Sequence, residues 1–105
     1  MIGKVKIEID FGGRAETKLM VGECYDGSTV FSMLKEMNAI RVESRGSGKN
    51  TFLIAIDDVE NEGANGDNWI YRLNGEVGKV GAGEQKVVPG DEINWTFGDY
   101  EVPEN

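Results

Sequence analysis

Apolar and polar positions alternate strictly at the start of the chain. In VKIEIDF, Val5, Ile7, Ile9 and Phe11 point one way and Lys6, Glu8 and Asp10 the other. A period of two predicts a half-buried strand. Gly12-Gly13 follows, then RAETKLMV, where Ala15, Thr17, Leu19 and Val21 form the more apolar set. Parity then selects the turn. A two-residue loop would place Arg14 and Glu16 on the core face. A three-residue loop, Gly12-Gly13-Arg14, pairs Phe11 with Ala15, Ile9 with Thr17 and Ile7 with Leu19, and sets Glu8 opposite Lys18. The pattern therefore predicts a tight odd-length hairpin.

The period changes once. In DGSTVFSMLKEMN, Val30, Met33, Leu34 and Met37 fall at i, i+3, i+4 and i+7, which makes one apolar helical stripe. Ser28 is the expected N-cap, with Asp26 adding negative charge nearby. Asn38 is expected to end the helix in the left-handed conformation. Phe31 lies off the centre of the stripe. After the helix the pattern returns to strands. VESRGSGKNTFLIAI reads as a hairpin around Gly46-Ser47-Gly48, with Phe52, Ile54 and Ile56 on one side and Leu53 and Ala55 on the other. NWIYRL is a strand closed by Asn74-Gly75, EVGKVGAGEQ is irregular, and Val87-Val88-Pro89-Gly90-Asp91 suits a type II turn. EINWTF is the last strand, with Ile93, Trp95 and Phe97 on one face. One helix among many strands predicts an α+β domain, a mixed sheet packed on one helix. Residues 1–105 are expected to form one domain, ordered over about 4–98, with a loose acidic tail.

Composition narrows the chemistry. The 105 residues include 11 basic and 19 acidic ones, a net charge of −8. That field repels phosphate backbones and anionic lipid, so neither nucleic acid nor a membrane is an expected partner. There is no histidine and one cysteine, Cys24. Ser-His-Asp and Cys-His catalysis, His-based zinc sites and all-cysteine metal sites are thereby removed within one chain. The acidic stretch DDVENEGANGDN offers Asp58, Glu60, Glu62 and Gly63 at the first positions of an EF-hand loop, but Trp69 stands where the bidentate Glu belongs. Gly78, Gly81 and Gly83 are followed by no GKS/T, so no P-loop is supported. Neither a catalytic nor a metal site is expected, and the chain is expected not to be an enzyme. With no signal-peptide pattern, the sequence as given reads as cytoplasmic; an exported or surface origin follows if it has been trimmed.

WIYRLNG at 69–75, Gly81 and GDEINW at 90–95, together with DGSTVFSML at 26–34 and FLIAIDDV at 52–59, resemble the β-grasp domain of the transcobalamin C-terminal type. The resemblance covers about nine-tenths of the chain and departs at Ile56-Asp57-Asp58, where the family carries Ile-Asp-Gly. It implies a β-grasp (ubiquitin-like) fold and a lineage of binding modules. In the vitamin B12 carriers this domain closes over one face of cobalamin, while a helical barrel, absent here, supplies the rest of the site. A ubiquitin-type modifier would share the fold but end in Gly-Gly, and this chain ends in Val-Pro-Glu-Asn.

These readings converge on a non-enzymatic binding or interaction module for a small planar ligand, such as a corrinoid, or for a protein. A structural accessory domain of a larger protein is the alternative. The candidate binding residues are Trp69, Tyr71, Arg72, Asn74 and Trp95. Trp69, Tyr71 and Trp95 either form an aromatic platform for a flat ligand or fill the core against the helix. Cobalamin is the one cofactor the resemblance brings, and no other is expected.

Overall fold

A computed structural model describes residues 2–99. The tail expected to be loose lies almost wholly outside them. The elements run β1 (Gly3–Asp10), β2 (Lys18–Cys24), α1 (Val30–Lys35), β3 (Val42–Arg45), β4 (Phe52–Ile56), β5 (Val59–Glu60), β6 (Asn68–Leu73), β7 (Glu76–Val77) and β8 (Glu92–Gly98). The architecture is α+β, mostly strands around one short helix. Five strands form a mixed sheet in the order β2-β1-β8-β6-β7, and β3-β4-β5 form a second, smaller one. The chain's two ends meet at the centre of the large sheet, where β1 and β8 run parallel with Ile7 beside Ile93 and Ile9 beside Trp95.

One face of the large sheet is apolar throughout. Val5, Ile7 and Ile9 of β1, Phe11 just beyond it, Trp69 and Tyr71 of β6, and Ile93, Trp95 and Phe97 of β8 are all buried. They form one cluster with Val30, Phe31, Met33 and Leu34 of α1 and with Leu53 and Ile56 of β4. The period-two reading of β1, β6 and β8 holds, and the helical stripe holds for Val30, Met33 and Leu34, while Met37 lies beyond α1 and is partly buried.

The first hairpin differs from the sequence expectation. Ile7 pairs with Met20, Glu8 with Leu19 and Ile9 with Lys18. Pairing stops there, so residues 11–17 make a wide loop instead of a three-residue turn. The slip of one position reverses every side chain on β2. Gly22 and Cys24 are buried, whereas Leu19 and Val21 are 77% and 58% exposed. Met33 and Met37 fill the space over the inward side of β2. A Cβ on Gly22 would lie 2.6 Å from Met33 Cε and 2.9 Å from Met37 Cε, so the flexible ends of both side chains would have to shift for a larger residue. The loop is held from outside. Arg14 lies 4.6 Å from the Phe97 ring centroid and pairs with Glu62 at 3.1 Å and Asp67 at 3.4 Å.

The helix is also shorter than its stripe suggests. Thr29, not Ser28, is the N-cap: its hydroxyl accepts the Ser32 N–H while Ser32 Oγ accepts the Thr29 N–H, a reciprocal capping box. Ser28 is buried and its hydroxyl accepts the Tyr25 N–H instead. At the other end Glu36 caps in the right-handed region, and Asn38 is not among the residues with positive φ. Loop 78–86 closes the helix start, because the Val30 and Phe31 N–H groups donate to Gln85 O and Ala82 O. The carbonyls of an irregular loop thus take the place of a longer helix's own partners. Phe31, expected off-centre, is buried.

The remaining turns follow the sequence. Gly90 has φ +93° and the Asp91 N–H donates to Val88 O, as a type II turn requires. Asn74 and Gly75 have φ +52° and +86°, the double-positive signature of a tight hairpin turn. The β3–β4 hairpin forms with a register shift between Glu43 and Ser44. On β4 Phe52 is 63% exposed while Leu53, Ala55 and Ile56 are all buried.

Candidate functional site

The three aromatic candidates point into the protein. Trp69 is 8% exposed, Tyr71 8% and Trp95 3%. The Trp69 ring packs edge-on against Phe11 with centroids 5.4 Å apart and lies 5.2 Å from Phe97. Its Nε1 donates to Val59 O at 2.8 Å, and its backbone N–H donates to Asn61 Oδ1 at 2.7 Å. Asn61 in turn donates to Leu53 O at 2.7 Å, so one amide ties the two sheets together. Tyr71 lies 5.5 Å from the Trp95 ring and its hydroxyl donates to Val80 O. Burial raises the Tyr71 pKa above its ordinary 10.0, and the negative charge of Glu84 acts in the same direction. No flat ligand can stack on these rings without opening the core. Of the two readings of the trio, platform or core, their burial fits the core, because their strands turn that face toward α1.

Arg72 and Asn74 lie on other surfaces. Arg72 pairs across the sheet with Asn94 and Val77, on the face away from the helix. Asn74 is exposed but engaged: its Nδ2 donates to Asp91 Oδ1 at 3.0 Å and its Oδ1 accepts the Glu92 N–H at 2.8 Å. It clasps the β6–β7 turn to the start of β8. The five candidates are therefore not brought together.

The structure assembles a different surface. The outer face of the large sheet carries no covering element among the described residues. Leu19 and Val21 stand on it next to Glu8 and Lys6 of β1, with Glu92 and Asn94 of β8 beyond them. Asn94 Nδ2 donates to Glu8 Oε1 at 2.6 Å. Lys6, Glu8, Leu19, Val21, Asn94 and the Asn74-Gly75 turn line an open groove of about 580 Å³. Leu19 and Val21 make its aliphatic side on the edge strand β2, and Lys6, Glu8, Glu92 and Asn94 make its polar side on β1 and β8. Sequence reasoning assigned Leu19 and Val21 to the core. The one signal against that was Gly22, a poor fit to an outward-facing strand position.

The acidic stretch is dispersed. Asp57 pairs with Lys18 at 2.9 Å, Asp58 with Arg41, and Glu62 and Asp67 with Arg14. Among the described residues no three His, Cys, Asp or Glu side chains converge as a metal would need. Cys24 is buried, its thiol near the Tyr25 and Val87 carbonyls at 3.7 Å. Among the described residues no helix is long and apolar enough to cross a membrane.

An α+β domain with one sheet face packed and the other open is the class these elements define. The chain belongs to the family described as a domain of unknown function, DUF4430, whose model matches residues 27–99. No curated protein matches. Among solved structures, it is similar to a Ruminococcus gnavus protein whose description proposes metal binding, with TM-score 0.72 and 17% identity, covering 93% of this chain and 99% of that one. It is also similar to haptocorrin in complex with Cbi, with TM-score 0.69 and 21% identity over 90% of this chain; the match spans 25% of the haptocorrin chain. At such identities these likenesses concern the fold.

Proposed function

We propose that this chain is a single non-enzymatic binding module of the β-grasp type, whose working surface is the open face of the large sheet. The observation that carries the reading is the exposure of Leu19 and Val21 beside a groove of about 580 Å³. Large aliphatic side chains on an uncovered sheet face favour a partner with an apolar part, and the charged side chains beside them on β1 and β8 suit its polar substituents. A corrinoid is such a molecule, and the likeness to haptocorrin supports it. A groove this size covers part of one ligand face and leaves the rest to water or to another domain. Affinity of the isolated domain is then modest, with Kd of about 1 μM or weaker. No step of chemistry is assigned.

Titration with cobalamin and other corrinoids, followed by absorbance and calorimetry, tests this. Saturable binding is expected, weakened about tenfold or more by Leu19→Asp with Val21→Asp, with the melting temperature kept. Absence of heat and of spectral change with the native chain would remove the small-ligand reading.

A further inference from the structure

Sheet edges are where a β protein is open to unintended pairing, and natural sheets defend them with short strands, bulges, prolines or charge. Three of the four edges described here carry such defences. β5 and β7 have two residues each. β3 has four residues, a register shift, and exposed Glu43 and Arg45. β2 is different. It has seven residues, unbroken register with β1 and no proline. Its only lysine, Lys18, is already held by Asp57 and Ala39 O. Among the described residues, no backbone N–H or C=O of residues 18–23 bonds to anything other than β1. Alternate residues of an outer strand turn both groups away from the sheet, so β2 presents a row of unused donors and acceptors.

What lies along that edge has a definite character. Val21, Gly22, Glu23, Tyr25, Glu36 and Met37 line an open groove of about 590 Å³ beside it. Two apolar side chains and two carboxylates face it; neither Glu23 nor Glu36 closes a salt bridge among the described residues, although Lys4 of β1 stands across the ladder from Glu23. The Tyr25 hydroxyl donates to one oxygen of Glu23 and leaves the other open.

We propose that β2 is an acceptor edge for an extended segment of a partner protein carrying lysine or arginine, which adds as a sixth strand. Main-chain pairing supplies affinity, and alternate side chains of the added strand supply specificity. Those on the outer face would lie beside Leu19 and Val21 and be apolar. Those near Glu23 and Glu36 would be basic. A second copy of this chain is disfavoured, because it would bring the same two carboxylates and another net charge of −8 to the contact. The proposal does not rest on the corrinoid reading: its main-chain pairing uses the strand's edge, and Leu19 and Val21 are the side chains the two surfaces share.

The test is a displayed library of random peptides of ~10 residues, somewhat longer than a typical strand, selected on the folded chain. Selected peptides are then synthesised for hydrogen-exchange NMR. Selected sequences are expected to alternate apolar residues with at least one lysine or arginine. They should slow exchange of the outward amides within residues 18–23 by about tenfold or more. Glu23→Lys with Glu36→Lys should weaken binding about tenfold or more without lowering the melting temperature. The proposal is overturned if no peptide is selected, if basic residues are not enriched, or if protection falls outside β2. A dimer formed through β2 in sedimentation experiments would also overturn it, since a second copy would then be the occupant.

Discussion

Gly78 lies flat against the ring of Tyr71: a Cβ at Gly78 would come within 2.0 Å of Tyr71 Cζ and 2.3 Å of its hydroxyl oxygen. The irregular loop after β7 therefore runs over the tyrosine and seals it, while Val80 accepts its hydroxyl. Gly78→Ala is expected to cost about 1–3 kcal/mol, as overpacking of a filled site does. Tyr71→Phe should cost about 1 kcal/mol for the lost hydrogen bond. In a Tyr71→Ala background the Gly78→Ala penalty should nearly vanish. Urea unfolding of the native chain, Gly78→Ala, Tyr71→Ala and the double variant measures this coupling.

The two indoles should respond differently to loss of their N–H. Trp69 Nε1 is bonded to Val59 O, whereas Trp95 Nε1 is buried with no partner among the described residues. Trp69→Phe loses ring volume and a hydrogen bond and strands a carbonyl. Trp95→Phe loses volume but relieves an unpaired donor, whose burial costs about 1–3 kcal/mol. Equilibrium unfolding should find Trp69→Phe the more destabilising of the pair. The reverse order would mean that Trp95 has a partner.

Much of the fold was legible because period-two and helical patterns differ sharply in β1, α1, β6 and β8. The β1–β2 register was not. Ala15, Thr17, Leu19 and Val21 outscore Glu16, Lys18, Met20 and Gly22 in hydrophobicity, yet Met20, Gly22 and Cys24 take the inward side, beneath Met33 and Met37. That is a tertiary arrangement whose only local trace is Gly22. The same slip hid the surface, since Leu19 and Val21 were assigned inward. The N-cap moved from Ser28 to Thr29 because both hydroxyls suit the role and the Tyr25 N–H claims the first. Aromatic residues on β6 drew attention as a platform, but one strand's sequence does not reveal which of its faces the helix covers.

Glycines at the wide β1–β2 loop should separate by what surrounds them. Gly12 has φ +65° and a Cβ there would meet Phe97 O at 2.3 Å; Gly13 has φ +89° with open space. Both alanine variants pay for left-handed backbone, of order 1 kcal/mol. Gly12→Ala adds a clash with main chain that cannot rotate away, so its melting temperature should fall clearly further than that of Gly13→Ala.

Two titrations follow from charge placement. Burial disfavours ionised Asp57 and is the largest single influence. The Lys18 hydrogen bond, the Arg41 N–H and the charges of both residues together outweigh it, so its pKa lies below the ordinary 3.8. The unfolded chain therefore binds the proton more readily. The stability Asp57 contributes is complete above its unfolded pKa and is lost as pH falls through the folded value. Asp57→Asn should flatten the stability profile in that acid range. Tyr25 titrates above 10.0, chiefly because its hydroxyl donates to Glu23 and also because of that carboxylate's charge. Glu23→Gln should bring it back toward 10.0 while leaving Tyr71 unchanged, as ultraviolet titration would record.

Methyl and indole NMR during a corrinoid titration tests the central claim most directly, because it separates the open sheet face from the aromatic interior. The Leu19 and Val21 methyl signals are expected to shift in a saturable manner while the Trp69 and Trp95 indole N–H signals stay in place. Saturable shifts of the two indoles with Leu19 and Val21 unmoved would contradict it.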